Sequence, residues 1–95
     1  MNKIRTTAEW QKLDATRHLH PFTDLGDYQR NPGRIIDRAE HIYIYDTDGN
    51  KMLDAMSGLW CCSFGYSQPA IAESVSKQFK QLPYYNNFFQ CSNTP

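Results

Sequence analysis

The stretch HIYIYDTDGNKMLDA, residues 41–55, carries the clearest local structural signal in this chain of 95 residues. Isoleucine and tyrosine alternate over residues 42–45, which is typical of a β-strand whose two faces meet different surroundings. Asp48-Gly49 is a dipeptide that favours hairpin turns, and residues 51–55 then form the return strand. The sequence therefore predicts a β-hairpin at this point.

The DTDGN part of the hairpin also resembles the beginning of a calcium-binding loop. Asp46, Asp48 and Asn50 match the first three ligand positions of an EF-hand. The sixth position of such a loop requires glycine and is Lys51 here, and the twelfth requires glutamate and is Ser57. We therefore interpret DTDGN as a turn.

Helical patterns flank the hairpin on both sides. Thr6 and Glu9 have the spacing of a capping box and predict a helix over residues 6–16. A second helix is predicted within residues 67–83, with Ser67 as its N-cap. Its apolar stripe has spacings of four, four and three residues: Ile71, Val75, Phe79 and Leu82. The expected order is helix, β-hairpin, helix, in an α/β arrangement.

Proline interrupts the chain between the first helix and the hairpin. Pro21 biases His20 toward extended geometry, so Phe22 is expected in an irregular segment. Asn31-Pro32-Gly33 is a strong turn signal.

Composition excludes several classes of protein. The formal net charge is zero, and lysine and arginine are scattered, so the chain lacks the basic patch of a nucleic-acid-binding protein. No apolar run approaches the ~18 residues that a membrane helix needs. Residues 1–14 are polar and include acidic side chains, unlike a secretory signal or a transit peptide. We expect a cytoplasmic protein with reduced thiols.

The segment GLWCCSFG, residues 58–65, poses the main question about function. Zinc sites usually space their cysteines two to four residues apart, whereas Cys61 and Cys62 are adjacent. The sequence also lacks Cys-x-x-Cys, the spacing of thiol redox motifs. Other ligands available in principle are Cys91, His18, His20 and His41. We interpret the cysteines as buried, inert thiols and predict no metal site.

Two interpretations of this segment stay open on these grounds. Leu59, Trp60 and the cysteines are either part of a buried core or the wall of a ligand pocket between a strand and a helix. Aromatic residues make up 14% of the chain, more than one small core can cover, so some of them must face a pocket or a partner.

Three blocks of the sequence together resemble a known family. RTTAEWQKLDATRHLHPFTD, YIYDTDGNKMLDAMSGLWCCSFGY and LPYYNNFF closely resemble the N-terminal region of class III aminotransferases. Within that class they look most like the omega-amino-acid–pyruvate (amine–pyruvate) transaminases. The resemblance covers nearly all 95 residues and keeps the order and spacing of the blocks.

The resemblance implies fold type I, pyridoxal 5′-phosphate (PLP) as cofactor, and a homodimer with active sites at the subunit interface. The implied reaction transfers an amino group from an amine or omega-amino acid to pyruvate or a similar keto acid. Leu59 and Trp60 carry over as substrate contacts, and Phe22 matches a residue that closes the same pocket. Phe88 and Phe89 match an aromatic pair that is contributed across the dimer interface.

The resemblance also implies what the chain lacks. In the family, the phosphate-binding turn, the aspartate at the pyridine nitrogen and the Schiff-base lysine all come later in the sequence. We assign no catalytic role to the lysines: Lys3, Lys12, Lys51, Lys77 and Lys80. Residues 1–95 are therefore expected to be a partial, inactive N-terminal segment without a PLP-binding core. The alternative is a small, aromatic-rich interaction module without catalysis.

Overall fold

The computed structural model describes residues 5–94, so that Lys3 and Pro95 lie outside the described residues. The helices are α1 (Thr7–Arg17), α2 (Leu25–Arg30), α3 (Ser57–Trp60) and α4 (Pro69–Gln81). The strands are β1 (Ile36–Glu40), β2 (Tyr43–Asp46) and β3 (Lys51–Leu53). The α/β class and the predicted order of helix, hairpin and helix are confirmed. Three elements were not predicted: α2, β1 and α3.

The three strands form one antiparallel sheet in the order β1-β2-β3. On one face, the ring of Tyr45 lies 3.6 Å from the guanidinium carbon of Arg38, and the ring of Tyr43 lies 3.9 Å from Lys51 Nζ. These distances are within the range of cation–π attraction. The other face is apolar and carries three residues in register: Ala39, Ile44 and Met52. The two faces thus differ, as the alternation predicted.

Asp46 organises the turn of the hairpin and is the one residue in the range 5–94 that is buried. Its carboxylate accepts the backbone N–H of Asp48 at 3.1 Å and of Asn50 at 2.8 Å, and also the Asn50 side-chain amide. Arg34 Nε lies 3.3 Å from its second oxygen. The hydrogen bond from the Asn50 side chain is the main reason why the pKa of Asp46 lies below its usual value. The turn prediction is confirmed, and donors within the loop surround the carboxylate.

The capping box of α1 is also confirmed. Thr6 is the N-cap, its N–H donates to Glu9 Oε2 at 2.8 Å, and the Glu9 N–H donates to Thr6 Oγ1 at 3.3 Å. The first turns of α1 lie against the loops around the sheet. Thr7 Oγ1 is 2.8 Å from Thr47 Oγ1, and Gln11 Nε2 donates to the Gly33 carbonyl at 3.0 Å.

The cap gives a prediction with a control in the same helix. Replacing Thr6 with alanine should cost α1 about 1 kcal/mol, because the side-chain acceptor at the helix start is lost. Thr16 instead donates back to the Lys12 carbonyl within the helix at 2.8 Å, a bond that adds little to helix stability. We expect far-UV circular dichroism to show less helix in Thr6→Ala and no loss in Thr16→Ala. Equal losses in both variants would contradict the role of the cap.

The prediction that Ser67 is the N-cap of α4 was wrong. The cap is Gln68, and its side chain makes no capping hydrogen bond. Ser67 Oγ donates to the Ala39 carbonyl of β1 at 2.8 Å, which ties the chain to the sheet just before the helix begins. Pro69, at the start of the helix, has no N–H to be capped, so one of the usual demands on an N-cap is absent.

A hydrophobic core is absent from the part of the chain that the structure describes, because no apolar residue between 5 and 94 is buried. The accessible surface is 8652 Å², whereas a compact protein of 11.1 kDa exposes about 5,700 Å². The radius of gyration is 18.1 Å, against about 12 Å for a compact chain of this length. Substantial packing between described elements is confined to the strands of the sheet.

The expectation of buried thiols was wrong for the same reason. Cys61 and Cys91 are exposed and Cys62 is half-buried, since no second layer covers the segment over residues 58–65. The core interpretation of that segment fails as well, because Trp60 is 86% exposed. Within residues 5–94, no helix has the length and apolar character needed to cross a membrane.

Candidate functional site

Asp54 organises the chain where it leaves β3. One carboxylate oxygen accepts the N–H of Met56 at 3.1 Å, and the other accepts the N–H of Gly58 at 2.8 Å. The second oxygen also accepts the hydroxyl of Tyr66 at 2.5 Å. Hydrogen bonds to an ionised acceptor are stronger than those between neutral groups. One side chain therefore holds both the beginning of α3 and a tyrosine eight residues beyond Gly58.

Residues 57–60, which form α3, have a left-handed backbone. Their φ angles run from 51° at Ser57 to 67° at Trp60, and only Gly58 among them is a glycine. Each of the other three residues pays about 1–2 kcal/mol for this conformation. The N–H of Trp60 donates to the Met56 carbonyl at 2.8 Å, so the turn is closed by a backbone hydrogen bond. Such strain persists only where the surroundings impose it, and it is frequent at functional sites.

The far end of the segment is fastened to the sheet by the backbone. The N–H of Tyr66 donates to the His41 carbonyl at 2.7 Å, and the N–H of His41 donates to the Tyr66 carbonyl at 3.2 Å. Gly65 precedes this bridge with φ of 78°. The segment between Asp54 and Tyr66 is thus anchored at both ends, and Leu59 and Trp60 project from its middle.

The pKa values in this anchor give a prediction of pH dependence. The hydroxyl of Tyr66, followed by the N–H of Gly58, lowers the pKa of Asp54, and the carboxylate in turn raises the pKa of Tyr66. A carboxyl whose pKa is lower in the folded state stabilises that state above its ordinary pKa, about 3.9, and this stabilisation is lost as the pH falls through the lowered value. The anchored conformation should therefore persist through mildly acidic pH and be lost only below the ordinary carboxyl range.

Trp60 fluorescence, measured in a Trp10→Phe background, should report this transition. Tyr66→Phe removes the largest cause of the lowered pKa, so it should move the transition to higher pH. Asp54→Asn should abolish the transition. An unchanged midpoint in Tyr66→Phe would show that the tyrosine does not set the pKa of Asp54.

The five residues predicted to face substrate lie on three separate segments and are all exposed. Leu59 and Trp60 lie in α3, Phe22 lies between α1 and α2, and Phe88 and Phe89 follow α4. Each of them is at least 68% exposed, so none lines an enclosed cavity within the described residues. Only Phe88 and Phe89 are in ring contact, edge to face, with centroids 6.5 Å apart.

Four of these five residues share an uncommon backbone conformation. Phe22, Leu59, Trp60 and Phe89 all have φ between 51° and 67°. Positive φ is uncommon for residues other than glycine, and it is a true outlier for bulky side chains. Its occurrence on three segments that present large apolar side chains to the exterior is consistent with a role in a binding surface.

Asp54 and Tyr66 are site residues that sequence reasoning missed. An aspartate two residues before a turn that contains Ser-Gly is a recognised local signal, because its carboxylate can accept backbone N–H groups ahead of it. Tyr66 carries no such signal, since its hydrogen bond to Asp54 spans twelve residues. The two side chains meet only because the chain folds back after β3, so that the backbone of Tyr66 pairs with that of His41.

A second polar cluster lies at the junction of α1 and α2. Asp14 Oδ2 accepts the hydroxyl of Tyr28 at 2.5 Å and lies 2.7 Å from His20 Nε2. Asp14 Oδ1 lies 3.7 Å from His18 Nδ1. The hydrogen bond from Tyr28, followed by that from His20, holds the pKa of Asp14 below its usual value. This cluster is the one group of potential metal ligands found among residues 5–94.

The described lysines do not form a site for a carbonyl cofactor. Lys51 lies over the ring of Tyr43, and Lys77 pairs with Glu73 at 2.8 Å. A Schiff-base lysine is activated by desolvation or by a neighbouring cation. All four described lysines are instead exposed: Lys12, Lys51, Lys77 and Lys80.

Comparisons with known proteins agree on one family. The family model for aminotransferase class-III matches residues 26–94. A putrescine–pyruvate aminotransferase of Pseudomonas aeruginosa is 46% identical over 89 residues, which are 94% of this chain and 20% of that protein. This chain therefore spans about a fifth of that relative's length.

Solved structures give the same result for the fold. An (S)-enantioselective omega-transaminase from Thermomicrobium roseum matches 93% of this chain and 20% of its own, with a TM-score of 0.86 and 28% identity. An omega-transaminase from Pseudomonas jessenii in complex with PMP matches 88% of this chain and 18% of its own, with a TM-score of 0.85 and 34% identity.

Proposed function

Because this chain belongs to the class III aminotransferase family, we propose that it is the N-terminal segment of a transaminase that uses pyruvate or a similar keto acid as amino acceptor. The proposed donor is an amine or an omega-amino acid. The observation that carries this proposal is the 46% identity to a putrescine–pyruvate aminotransferase over 94% of the chain. The omega-transaminases among the solved structures support the same substrate class.

In the proposed enzyme this segment builds one wall of the substrate pocket. Leu59 and Trp60 contribute to the wall from the left-handed turn, and Phe22 closes the pocket. Phe88 and Phe89 reach across the interface of a homodimer. The exposure of all five residues supports this arrangement, because large apolar side chains of this kind are normally covered by a partner surface. The enzyme is proposed to be cytoplasmic.

PLP is the cofactor proposed for the full-length enzyme, in which it supplies the electron sink for amino transfer. The described residues do not fit this cofactor, since the lysines among them lie exposed on α1, β3 and α4. We therefore derive no chemical step from this chain, and we propose that the 95 residues alone do not catalyse transamination.

The test compares the chain with the whole reading frame in which it lies. The whole product, supplied with PLP, should transfer the amino group of putrescine or an omega-amino acid to pyruvate, measured as alanine formed. The 95-residue chain should form no alanine under the same conditions. Absence of activity in the whole product with every amine tested would overturn the proposed function.

A matched pair of tryptophan variants tests the pocket wall in the whole product. Trp60→Ala should change the ratio of kcat/KM for a large amine to kcat/KM for a small amine by at least about tenfold. The reason is that a lost pocket contact alters the discrimination between substrates of different size. Trp10→Ala, on α1, should leave this ratio unchanged. Equal effects of the two variants would remove Trp60 from the proposed pocket.

A further inference from the structure

We propose that Asp14, His18 and His20 bind a divalent transition-metal ion of the Zn²⁺ type, which joins the end of α1 to the segment that leads into Phe22. This inference goes beyond the proposed function and does not depend on it. It also departs from the sequence-based expectation of no metal site, because that expectation rested mainly on the spacing of the cysteines.

The geometry brings one ligand atom from each residue close to a common point. One imidazole nitrogen of each histidine and one carboxylate oxygen of Asp14 all lie within 4.8 Å of one another. The ligands of one tetrahedral Zn²⁺ are about 3.3 Å apart, given metal–ligand bonds of 2.0–2.1 Å. His20 Nε2 and Asp14 Oδ2 are 2.7 Å apart in a hydrogen bond, so the ion would replace that bond while side-chain rotations bring the three ligand atoms to this spacing. The rings of His18 and His20 are already stacked, with centroids 4.3 Å apart and planes within 20°.

The path of the backbone explains why the three side chains meet. Asp14 and His18 are four residues apart at the end of α1, and side chains at this spacing lie on one helix face. Helix α1 ends at Arg17 and its C-cap, His18, has an extended backbone, and the chain beyond it brings His20 Nε2 to 2.7 Å from Asp14 Oδ2. A hydrogen-bonded partner is also present, because the Tyr28 hydroxyl donates to Asp14 Oδ2. Partners of this kind orient carboxylate ligands in metal sites.

The donor set indicates the class of ion. Two imidazoles and one carboxylate are typical ligands of Zn²⁺ and of related transition metals, whereas Ca²⁺ and Mg²⁺ prefer sites made of oxygen alone. Three protein ligands leave a fourth position to water. Half-buried Asp14 and His20 form the inner part of the site, and His18 is exposed. An ion can therefore enter from solvent on the His18 side.

Zn²⁺ titration of the 95-residue chain by isothermal calorimetry tests the site directly. All three cysteines are replaced by serine in every sample, so that thiols cannot bind the ion. We expect one Zn²⁺ per chain. His18→Gln and His20→Gln should each weaken binding by more than about tenfold, since even the loss of an outer partner costs that much in metal sites. His41→Gln is the matched control and should bind like its parent.

Two further variants and one spectrum complete the test. Asp14→Asn should weaken binding like the histidine variants. Tyr28→Phe keeps all three ligands and loses only the outer partner, so it should still bind one Zn²⁺ per chain, with an affinity lowered by no more than about tenfold. Histidine ring resonances of residues 18 and 20, and not of 41, should shift when Zn²⁺ is added. Failure to bind would overturn the proposal even if the free chain were loosely folded, because metal binding itself supplies folding free energy. Binding that is lost in His41→Gln, or kept when both His18 and His20 are replaced, would overturn it as well.

Discussion

The 95-residue chain alone should melt without a cooperative transition and should bind a hydrophobic dye strongly. Its accessible surface exceeds that of a compact protein of the same mass by about 3,000 Å². This excess is larger than the roughly 800 Å² that each partner buries in a standard protein interface. Cooperative unfolding needs a shared core, and no apolar residue between positions 5 and 94 is buried.

A variant in helix α4 tests whether uncovered apolar side chains cause the dye binding. Its stripe of Ile71, Val75 and Phe79 is about half exposed or more, although its spacing is that of a core-facing helix. Phe79→Gln should reduce dye binding and self-association in sedimentation experiments, without lowering the helix content. Lys80→Gln, at the neighbouring position, should change neither. A sharp thermal transition of a monomeric chain would contradict this account and would favour the alternative of a small interaction module.

Gly65→Ala should release the segment that carries Leu59 and Trp60 from the sheet. At Gly65 a Cβ would lie 2.8 Å from the His41 carbonyl oxygen, which is part of the backbone and has little freedom to move. The φ of 78° adds strain for any residue with a side chain. Strain of this kind costs about 1–3 kcal/mol, so protection of the Tyr66 amide against hydrogen exchange should fall at least about fivefold.

Gly49→Ala is the control that separates the clash from the backbone angle. Gly49 has a similar φ of 86°, but no atom lies within 4 Å of the position that a Cβ would occupy. The variant should therefore strain only the hairpin turn and leave exchange at the Tyr66 amide unchanged. Equal losses of protection in the two variants would mean that the approach of Gly65 to His41 does not hold the segment.

Those parts of the fold with strong local signals could be predicted from the sequence. The hairpin rests on alternation and on Asp48-Gly49, and the first helix rests on the capping pair of Thr6 and Glu9. Strand β1 was missed because its sequence, IDRAE, is mostly charged and is held in the sheet by pairing with β2. Helix α2 was missed because six residues that include Gly26 are too few to show a period.

The candidate site also has one part that the sequence could predict and one part that it could not. The block that contains Leu59 and Trp60 stood out by its composition and by its resemblance to a family. The left-handed turn at that block was not foreseeable, because Ser57, Leu59 and Trp60 all prefer other conformations when they are free. At this turn the N–H of Gly58 is held by Asp54, whose carboxylate also accepts the hydroxyl of Tyr66 twelve residues away, and single-residue propensities do not contain that information. The same holds for Asp14 and Tyr28, whose hydrogen bond spans fourteen residues.

The outer strand β1 has a consequence for aggregation. Its pairing with β2 shifts register between Ile36 and Arg38, and its other members include Asp37 and Glu40. Irregular pairing and charged side chains on an outer strand discourage edge-to-edge growth into fibrils. At the opposite edge, β3 has only three residues and begins with Lys51. Although much apolar surface is uncovered, both edges of the sheet therefore disfavour open-ended polymerisation through strand pairing.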